Sequence, residues 1–307
     1  MRRPIVLGVL LAAGSVSIGI AAMPQAPVGQ EARVVDIDKL RDNLYVMKGG
    51  GGNSSVFLAA NGVVVIDTKN PGWGQPLLDA IRKVTDKPVT TIVNTHTHGD
   101  HVSGNVEFPA SVEIVTHENT RANMEQMRPN SSAAPSATPP PNIFKENKGR
   151  GLPKRTFKDR LTLGAGSDRI DLLYFGPAHT NGDAVVFFPA HRIVHIADIF
   201  PSNDMPIMDS NNGGTGIGYA DTLAKAAAFV DANADTLISG HNATTTRPAD
   251  LKAFIQFIRT FVKEAQDAKR SGRSVDDFAA SWKPPAGYGA TAARVRANTQ
   301  TIFNETR

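Results

Sequence analysis

The sequence predicts an α+β fold in which two half-domains pack face to face as a sandwich. Three observations support that expectation. Strand signals followed by helical periodicity occur twice along the 307 residues. The run Val63-Val64-Val65-Ile66 is apolar at every position, which suits a strand covered on both faces. Residues 247–270 place Leu251, Phe254, Ile255, Ile258 and Val262 at three- and four-residue spacing, the pattern of an amphipathic helix laid on a core. Hydrophobic residues make up 41% of the chain and charged residues 20%, enough apolar mass for one large domain.

In the first half, strand signals open at Arg33–Asp38 and Leu44–Met47. Gly49–Gly52 follows as a flexible loop, and Ser55–Ala59 is the next strand. Asn61-Gly62 is a hairpin signal, because both residue types tolerate positive φ, and it joins that strand to Val63–Thr68. Helical spacing runs over Gln75–Val84. A short apolar strand, Thr91–Asn94, leads into a histidine-rich loop. Val112–Val115 reads as a strand and His117–Met127 as a helix. Composition then shifts: between Arg128 and Lys154, Ser131-Ser132, Pro135 and Pro139-Pro140-Pro141 precede a basic end. Such a stretch cannot hold a core and reads as a long mobile loop, either a lid or a surface insertion.

The second half repeats the order. Strand signals fall at Thr156-Phe157, Leu161–Leu163, Asp168–Phe175, Ala184–Phe188 and Ile193–Ile196. An Asn- and Gly-rich irregular stretch, Pro201–Gly218, comes before a helix at Ala220–Ala232 and a closing strand at Asp235–Ser239. Helices at 247–270, Ser274–Ala280 and Ala290–Phe303 make residues 247–307 a helical end to the domain.

Residues 1–22 read as a secretory signal: Arg2-Arg3, an apolar run from Ile5 to Ala22, and a small-residue cleavage region at Ala21-Ala22. Residues 23–32, with Pro24-Gln25-Ala26-Pro27, read as a linker, which leaves 33–307 as the folded domain. An uncleaved anchor is the other reading, since about 18 apolar residues just span a bilayer. The expected location is periplasmic or secreted. Without any cysteine, an exported chain has no disulfide and depends on its core and bound metals. Formal charge is +4 from 33 basic and 29 acidic residues, or +2 without Arg2 and Arg3. That balance, with no basic stripe among aromatics, argues against a nucleic-acid partner and leaves a small-molecule substrate as the expected one.

Chemistry concentrates in Thr95-His96-Thr97-His98-Gly99-Asp100-His101. Histidines at i and i+2 of an extended segment point the same way. Gly99 then permits a sharp change of direction, so Asp100 and His101 can face a second point nearby. One loop can thus supply two ligands to each of two ions. Three other polar residues stand at strand ends beside small residues: His179 in Gly176-Pro177-Ala178-His179-Thr180-Asn181-Gly182-Asp183, Asp198 after Ile193–Ala197, and His241 after Ser239-Gly240.

With those residues in order, the chain resembles the metallo-β-lactamase superfamily from about Asn43 to His241. The resemblance implies a four-layer αββα sandwich. It also implies His96, His98 and His179 as ligands of one metal and Asp100, His101 and His241 as ligands of a second, with Asp198 bridging. Two Zn²⁺ per chain are the implied cofactors, with iron or manganese as alternatives. Imidazole nitrogen and carboxylate oxygen are what zinc favours, and an open position leaves room for water. Two Zn²⁺, two carboxylates and one bridging hydroxide leave the site near +1, suited to a developing oxyanion. The implied mechanism is hydrolysis of an amide- or ester-type bond by that hydroxide, with Asp100 orienting it. No Ser, Cys or Lys nucleophile signature competes with it.

Asp67, at the end of an early strand, matches a family aspartate and is expected to support a ligand loop. Thr180 and Asp183 are candidate supporting residues, and Asp183 equally suits a turn cap. Trp73 suits either a pocket wall or surface packing. His117, His191 and His195 have no motif partner, and His195 reads as a core histidine.

For the substrate, the resemblance points first to β-lactam rings, then to lactones or thioesters. A mononuclear iron persulfide dioxygenase using His96, His179 and Asp198 is the alternative from another class. Many class B β-lactamases carry a cysteine where this chain has Asp198. They also carry a lysine three residues on that holds the drug's carboxylate, where this chain has Pro201. Asn203, Asn211 and Asn212 are candidates to take over that role. Substrate choice is expected in the loops Gly49–Ser54, Arg128–Lys154 and Pro201–Gly218.

Overall fold

Strand alternation builds two sheets whose inner faces share one core. The structure, a computed structural model, describes residues 33–134, 141–242 and 244–307; the expected signal and linker lie outside the described residues. The first sheet takes its strands in sequence order: β1 (Asp36–Arg41), β2 (Leu44–Lys48), β3 (Ser54–Ala59), β4 (Gly62–Ile66), β5 (Val89–Asn94), β6 (Glu113–His117) and β7 (Arg155–Phe157). The second runs in reverse order from β12 (Thr236–Ser239) through β11 (Ile193–Ala197), β10 (Ala184–Phe188) and β9 (Ile170–Tyr174) to β8 (Arg160–Leu163). Pairs β4–β5, β5–β6, β6–β7 and β11–β12 are parallel and the rest antiparallel.

Burial shows the layers. In β4, Val64 and Ile66 face β9–β12 residues such as Leu172, Val186 and Ile238, so they lie between the sheets. Val63 and Val65 point the other way, onto Leu77, Leu78, Ala80 and Ile81 of α1 (Gly74–Arg82). The run that is apolar at every position is therefore buried on both sides, as its pattern predicts. On the far face, α5 (Tyr219–Asn233), α6 (Pro248–Arg270), α7 (Val275–Ser281) and α8 (Ala292–Glu305) cover the second sheet. Helix, sheet, sheet, helix is the αββα sandwich. Short helices α2 (Gly99–Val102), α3 (Glu118–Met124) and α4 (Ile143–Glu146) lie in the loops after β5 and β6. None of the described helices is long and apolar enough to cross a membrane.

Several boundaries differ from the sequence expectation for physical reasons. The opening strand lies at Asp36–Arg41 because those residues pair with β2. Ala59 pairs with Gly62, so the hairpin loop is Ala60-Asn61, and Gly62 begins β4 against Thr90, where a Cβ would come within 2.4 Å of Thr90 Cγ2. Helix α3 ends at Met124, and Met127 takes a left-handed φ of 47°. Its His117 is the cap, accepting from Asn119 N, and its Nε2 donates to Lys158 O. The stretch 128–154 does reach a core: Phe144 of α4 is fully buried with Val102, Val106 and Met124.

Helix α6 supplies the most continuous contact with the second sheet. Leu251, Phe254, Ile258 and Phe261 are fully buried there. Removing a large buried ring costs its transfer energy and the cavity left behind. Phe254→Ala is expected to lower stability by about 3–5 kcal/mol, read as the shift of a denaturant unfolding curve at unchanged slope.

Candidate metal centre

Strands β4, β5, β9, β11 and β12 end on the same rim, and each loop that leaves one of those ends brings a polar residue to the same place. From β4 comes Asp67, from β5 the loop His96–His101, from β9 His179, from β11 Asp198 and from β12 His241. The two sheets are joined there: Asn53 N donates to Gly240 O (2.7 Å), and Ala184 N to Thr95 O (2.8 Å). Inside, Ser55 Oγ on β3 bonds His195 Nδ1 on β11 at 2.7 Å. His195 is thus a core histidine, brought down to about 4 by burial.

Locally, His96 lies in a bend just after β5, and His98 stands extended at the N-cap of α2 with φ −65° and ψ 143°. The change of direction expected at Gly99 is the start of that helix. Gly99 adopts no left-handed φ, and a Cβ there would come 3.2 Å from Ser103 Oγ. One helical turn then aims Asp100 and His101 away from the first pair.

All seven residues named as ligands converge. His96, His98, His179 and Asp198 can each place a donor atom within 4.8 Å of the others, and so can Asp100, His101 and His241. Asp198 lies between the groups: its Oδ2 is 3.7 Å from His179 Nε2 and 3.3 Å from His241 Nε2, and its Oδ1 is 3.3 Å from His101 Nε2.

The hydrogen bonds around this cluster set which ring nitrogen carries the proton. Asp67 Oδ2 accepts from His101 Nδ1 at 2.7 Å, which leaves Nε2 as the nitrogen turned toward the cluster. The backbone oxygen of Ile207 accepts from His179 Nδ1 at 2.7 Å, leaving Nε2 bare. Asp209 Oδ2 accepts from His98 Nε2 at 2.8 Å, leaving Nδ1 bare. Thr95 Oγ1 gives its proton to Asp67 and so accepts from His96 Nδ1 at 3.0 Å. The bare atoms of His96, His98 and His179 all face inward. His98 Nδ1 and His179 Nε2 stand 2.9 Å apart, while His101 Nε2 and His241 Nε2, 3.3 Å apart, both face the carboxylates of Asp100 and Asp198. His96 Nε2 and Asp198 Oδ1 are buried with no hydrogen-bond partner. Lone pairs turned on lone pairs at these distances need a cation between them, and the donor set fits metal ions.

Charge follows the same division. Burial takes His96 well below the ordinary histidine range and His179 to about 4, with neighbouring imidazoles adding to it, so both are neutral and ready to ligate. Burial also opposes charge on His101, but the carboxylates of Asp198, Asp100 and Asp67 outweigh it and hold that ring well above the usual value. Asp198 lifts His241 to about 9. Burial would raise Asp198 and Asp100, yet His101 and His241 keep both well below the carboxylate range.

Close backbone approach shapes the walls. A Cβ at Gly52 would sit 2.2 Å from His101 Cε1, and one at Gly240 1.8 Å from Asp198 Oδ1. Lys69, which sequence pattern had not singled out, is fully buried and donates to Met47 O and Gly52 O, both at 2.8 Å; burial brings it down to about 7. It holds the Gly52 loop against His101. Asp67 itself adopts φ 63° and accepts from Thr95 N at 2.8 Å, so one carboxylate fixes both the loop and His101. Thr180 does not touch a ligand ring: its hydroxyl and backbone N–H bond Asp183 and close the turn that carries His179. Trp73 packs on the first sheet's outer core and over Gly50.

Beside the cluster opens a cleft of about 570 Å³ lined by His98, Asp100, His179, Asp198, His241, Asn70, Asn130, Pro201, Asp204, Ile207 and Arg294, among others. Two of the loops expected to set substrate choice reach it, through Asn130 and residues 201–207; Gly49–Ser54 supplies none of the lining residues. The amides proposed to hold a carboxylate are engaged elsewhere. Asn211 Nδ2 donates to Pro129 O, and Asn212 Nδ2 to Asp209 Oδ2. Asn203 is also not among the lining residues, whereas Arg294 is.

Fold and site together define an αββα protein whose His/Asp clusters are suited to metal. The family model described as the metallo-beta-lactamase superfamily matches residues 47–241, and the chain belongs to that superfamily. It is similar to the metallo-beta-lactamase type 2 of Elizabethkingia meningoseptica, 29% identical over 188 residues, 57% of this chain and 66% of that one, just under two thirds of the relative's length. It is also similar to the 2,4-dinitroanisole O-demethylase subunit alpha of Nocardioides sp. (strain JS1661), 24% identical over 247 residues, 79% of this chain and 68% of that one. Among solved structures, a metallo-beta-lactamase from Pontibacter korlensis shares the fold at TM-score 0.58 and 17% identity, covering 73% of this chain and 99% of that one. The sec-alkylsulfatase Pisa1 from Pseudomonas sp. does so at TM-score 0.64 and 14% identity, covering 88% of this chain but 50% of that one.

Asp209 is the test of the tautomer argument, because its carboxylate fixes the His98 ring. Asp209→Asn keeps the size of the side chain and is expected to weaken zinc binding about 10–100-fold, measured by competition with a chromophoric chelator. A second expectation concerns pH. In the metal-free chain the folded pKa of His241 is raised, to about 9 against 6.5. Its pairing with carboxylates therefore stabilises fully below pH 6.5 and is lost as pH rises through about 9. Chelator-treated protein should melt lower at pH 9 than at pH 6.5, while its apparent zinc affinity rises over the same window because fewer protons must be displaced.

Proposed function

We propose that this chain is an exported hydrolase that cleaves amide- or ester-type bonds in small molecules, with β-lactam rings among the candidate substrates. The observation that supports it most is the inward convergence of bare imidazole nitrogens and two carboxylates at the floor of a cleft open to solvent. His96, His98 and His179 would hold one zinc, Asp100, His101 and His241 a second, and Asp198 would lie between them. Bound there, zinc supplies a water with a pKa near ~7 and polarises the substrate's oxygen.

The protein's own groups do the rest. Asp67, Asp209, Thr95 and the Ile207 carbonyl keep the four rings in their tautomers, so the site needs no rearrangement as substrate enters. Asp100 is the carboxylate with the freer face, 31% exposed against 12% for Asp198. It would orient the attacking water. Pro201, Pro206 and Ile207 give one side of the cleft an apolar wall.

Substrate scope is drawn wider than β-lactams for two reasons. No lysine stands among the cleft-lining residues to hold a drug's carboxylate, and Pro201 occupies the position where the resemblance would place one. The relative that matches 79% of this chain carries a name for cleavage of an aryl methyl ether. A hydrolysis screen on zinc-loaded protein should therefore include a cephalosporin, a carbapenem, lactones, a thioester and 2,4-dinitroanisole. Activity on at least one amide or ester is expected, and His98→Ala should lower kcat by at least a hundredfold. Activity that survives that substitution contradicts the mechanism. One iron per chain with oxygen uptake on persulfides would favour the dioxygenase reading instead.

A further inference from the structure

Beyond residue 241, where the family match ends, the chain continues into α6, α7 and α8. Helix α8 returns to the cleft. Thr291 caps it by accepting from Arg294 N, and Arg294, on its first turn, is among the residues that line the cleft. Among the described residues that line the cleft it is the one lysine or arginine.

Its guanidinium is only partly engaged. Nη1 donates to Met205 O at 2.8 Å, and among the described residues no carboxylate stands within ion-pair distance of it. An arginine carries about five N–H donors in a fixed fork, so most remain free. Asp204, which lines the same cleft, accepts from Asn242 Nδ2 at 2.8 Å and forms no ion pair with Arg294. Arg294 therefore brings a positive charge held in no ion pair into the cleft that Asp100, Asp198 and Asp204 also line, and its free N–H donors offer a place for an oxyanion. Its position relative to the metal-side rings is set by one short segment. Met205 O holds Arg294, and Ile207 O holds His179 Nδ1. Carbonyls two residues apart lie at most about 7 Å from each other.

We infer that Arg294 is an anion subsite: it takes the carboxylate, sulfonate or sulfate of a substrate by bidentate hydrogen bonds, while the scissile bond lies over Asp100 and Asp198. The second half of that statement rests on the hydrolase reading; anion binding by Arg294 does not. The shared chemistry is a planar or tetrahedral oxyanion presenting two oxygens to the fork.

The test is calorimetric titration of the full chain, metal-free and zinc-loaded, with benzoate, benzenesulfonate and uncharged benzyl alcohol. The wild-type chain should bind at least one anion in both forms. Arg294→Gln should weaken it tenfold or more, Arg294→Lys, which keeps a donor for Met205 O, should fall between, and benzyl alcohol should not change. Whichever anion binds more tightly names the oxyanion class. In the zinc-loaded enzyme, Arg294→Gln should raise KM for a carboxylated or sulfonated phenyl ester tenfold at near-constant kcat, and leave the neutral ester unaffected. Equal anion affinity in wild type and Arg294→Gln overturns the proposal, as does an equal loss for benzyl alcohol. If the anion pattern appears and no ester is cleaved, the subsite stands and the hydrolase reading falls.

Discussion

Lone pairs pointing at lone pairs are the constraint on which the rest of this structure depends. Two imidazole nitrogens 2.9 Å apart, and two more 3.3 Å apart, repel each other unless a cation or a proton sits between them. The protein settles which atoms those are from behind, with two buried carboxylates, a threonine hydroxyl and a backbone carbonyl. A ligand ring whose outer nitrogen is fixed in this way is a better base and keeps its orientation. The outer residues thus belong to the metal centre as much as the rings do.

The sandwich exists, from this point of view, to bring five strand ends to one rim. Parallel pairing of β4 with β5 and of β11 with β12 makes neighbouring strands end on the same side. The inner core of Val64, Ile66, Leu172 and Val186 holds the two sheets in register, and direct backbone bonds lock them at the rim. Tight approach does the last adjustment: glycine at 52 and 240 lets the backbone lie against His101 and Asp198, where any side chain would displace a ligand. Lys69 shows the cost of such packing. Its ammonium is buried with only carbonyl oxygens as partners, which stabilise its charge less than a carboxylate would, and burial draws its pKa down to about 7.

Much of this was legible in the sequence because it rests on short-range pattern. Continuous apolar strand runs, a histidine pair at i and i+2, and polar residues just past strand ends are local signals, and all seven named residues meet in the structure. Asp67, too, could be read from its place at a strand end. What stayed hidden lies at long range. Asp209 reaches His98 across 111 residues from a stretch with no periodicity, so nothing nearby marks it. Arg294 sits on an amphipathic helix where an arginine reads as solvated, and only the packing of α8 reveals that it faces the cleft. Lys69, which no sequence pattern marks, is fully buried. Composition misled at Phe144, since a proline- and serine-rich stretch can still contribute one ring to a core.

The central claim is that the rings present fixed, inward-facing nitrogens, and that they are not all the same atom. Long-range proton–nitrogen NMR on histidine-labelled protein, followed through a zinc titration, reads that directly. The account predicts that zinc shifts Nδ1 of His98 and Nε2 of His96, His101, His179 and His241, with the other nitrogens of the first four remaining protonated. Zinc shifting Nε2 of His98, or leaving these ring nitrogens unchanged, would contradict it.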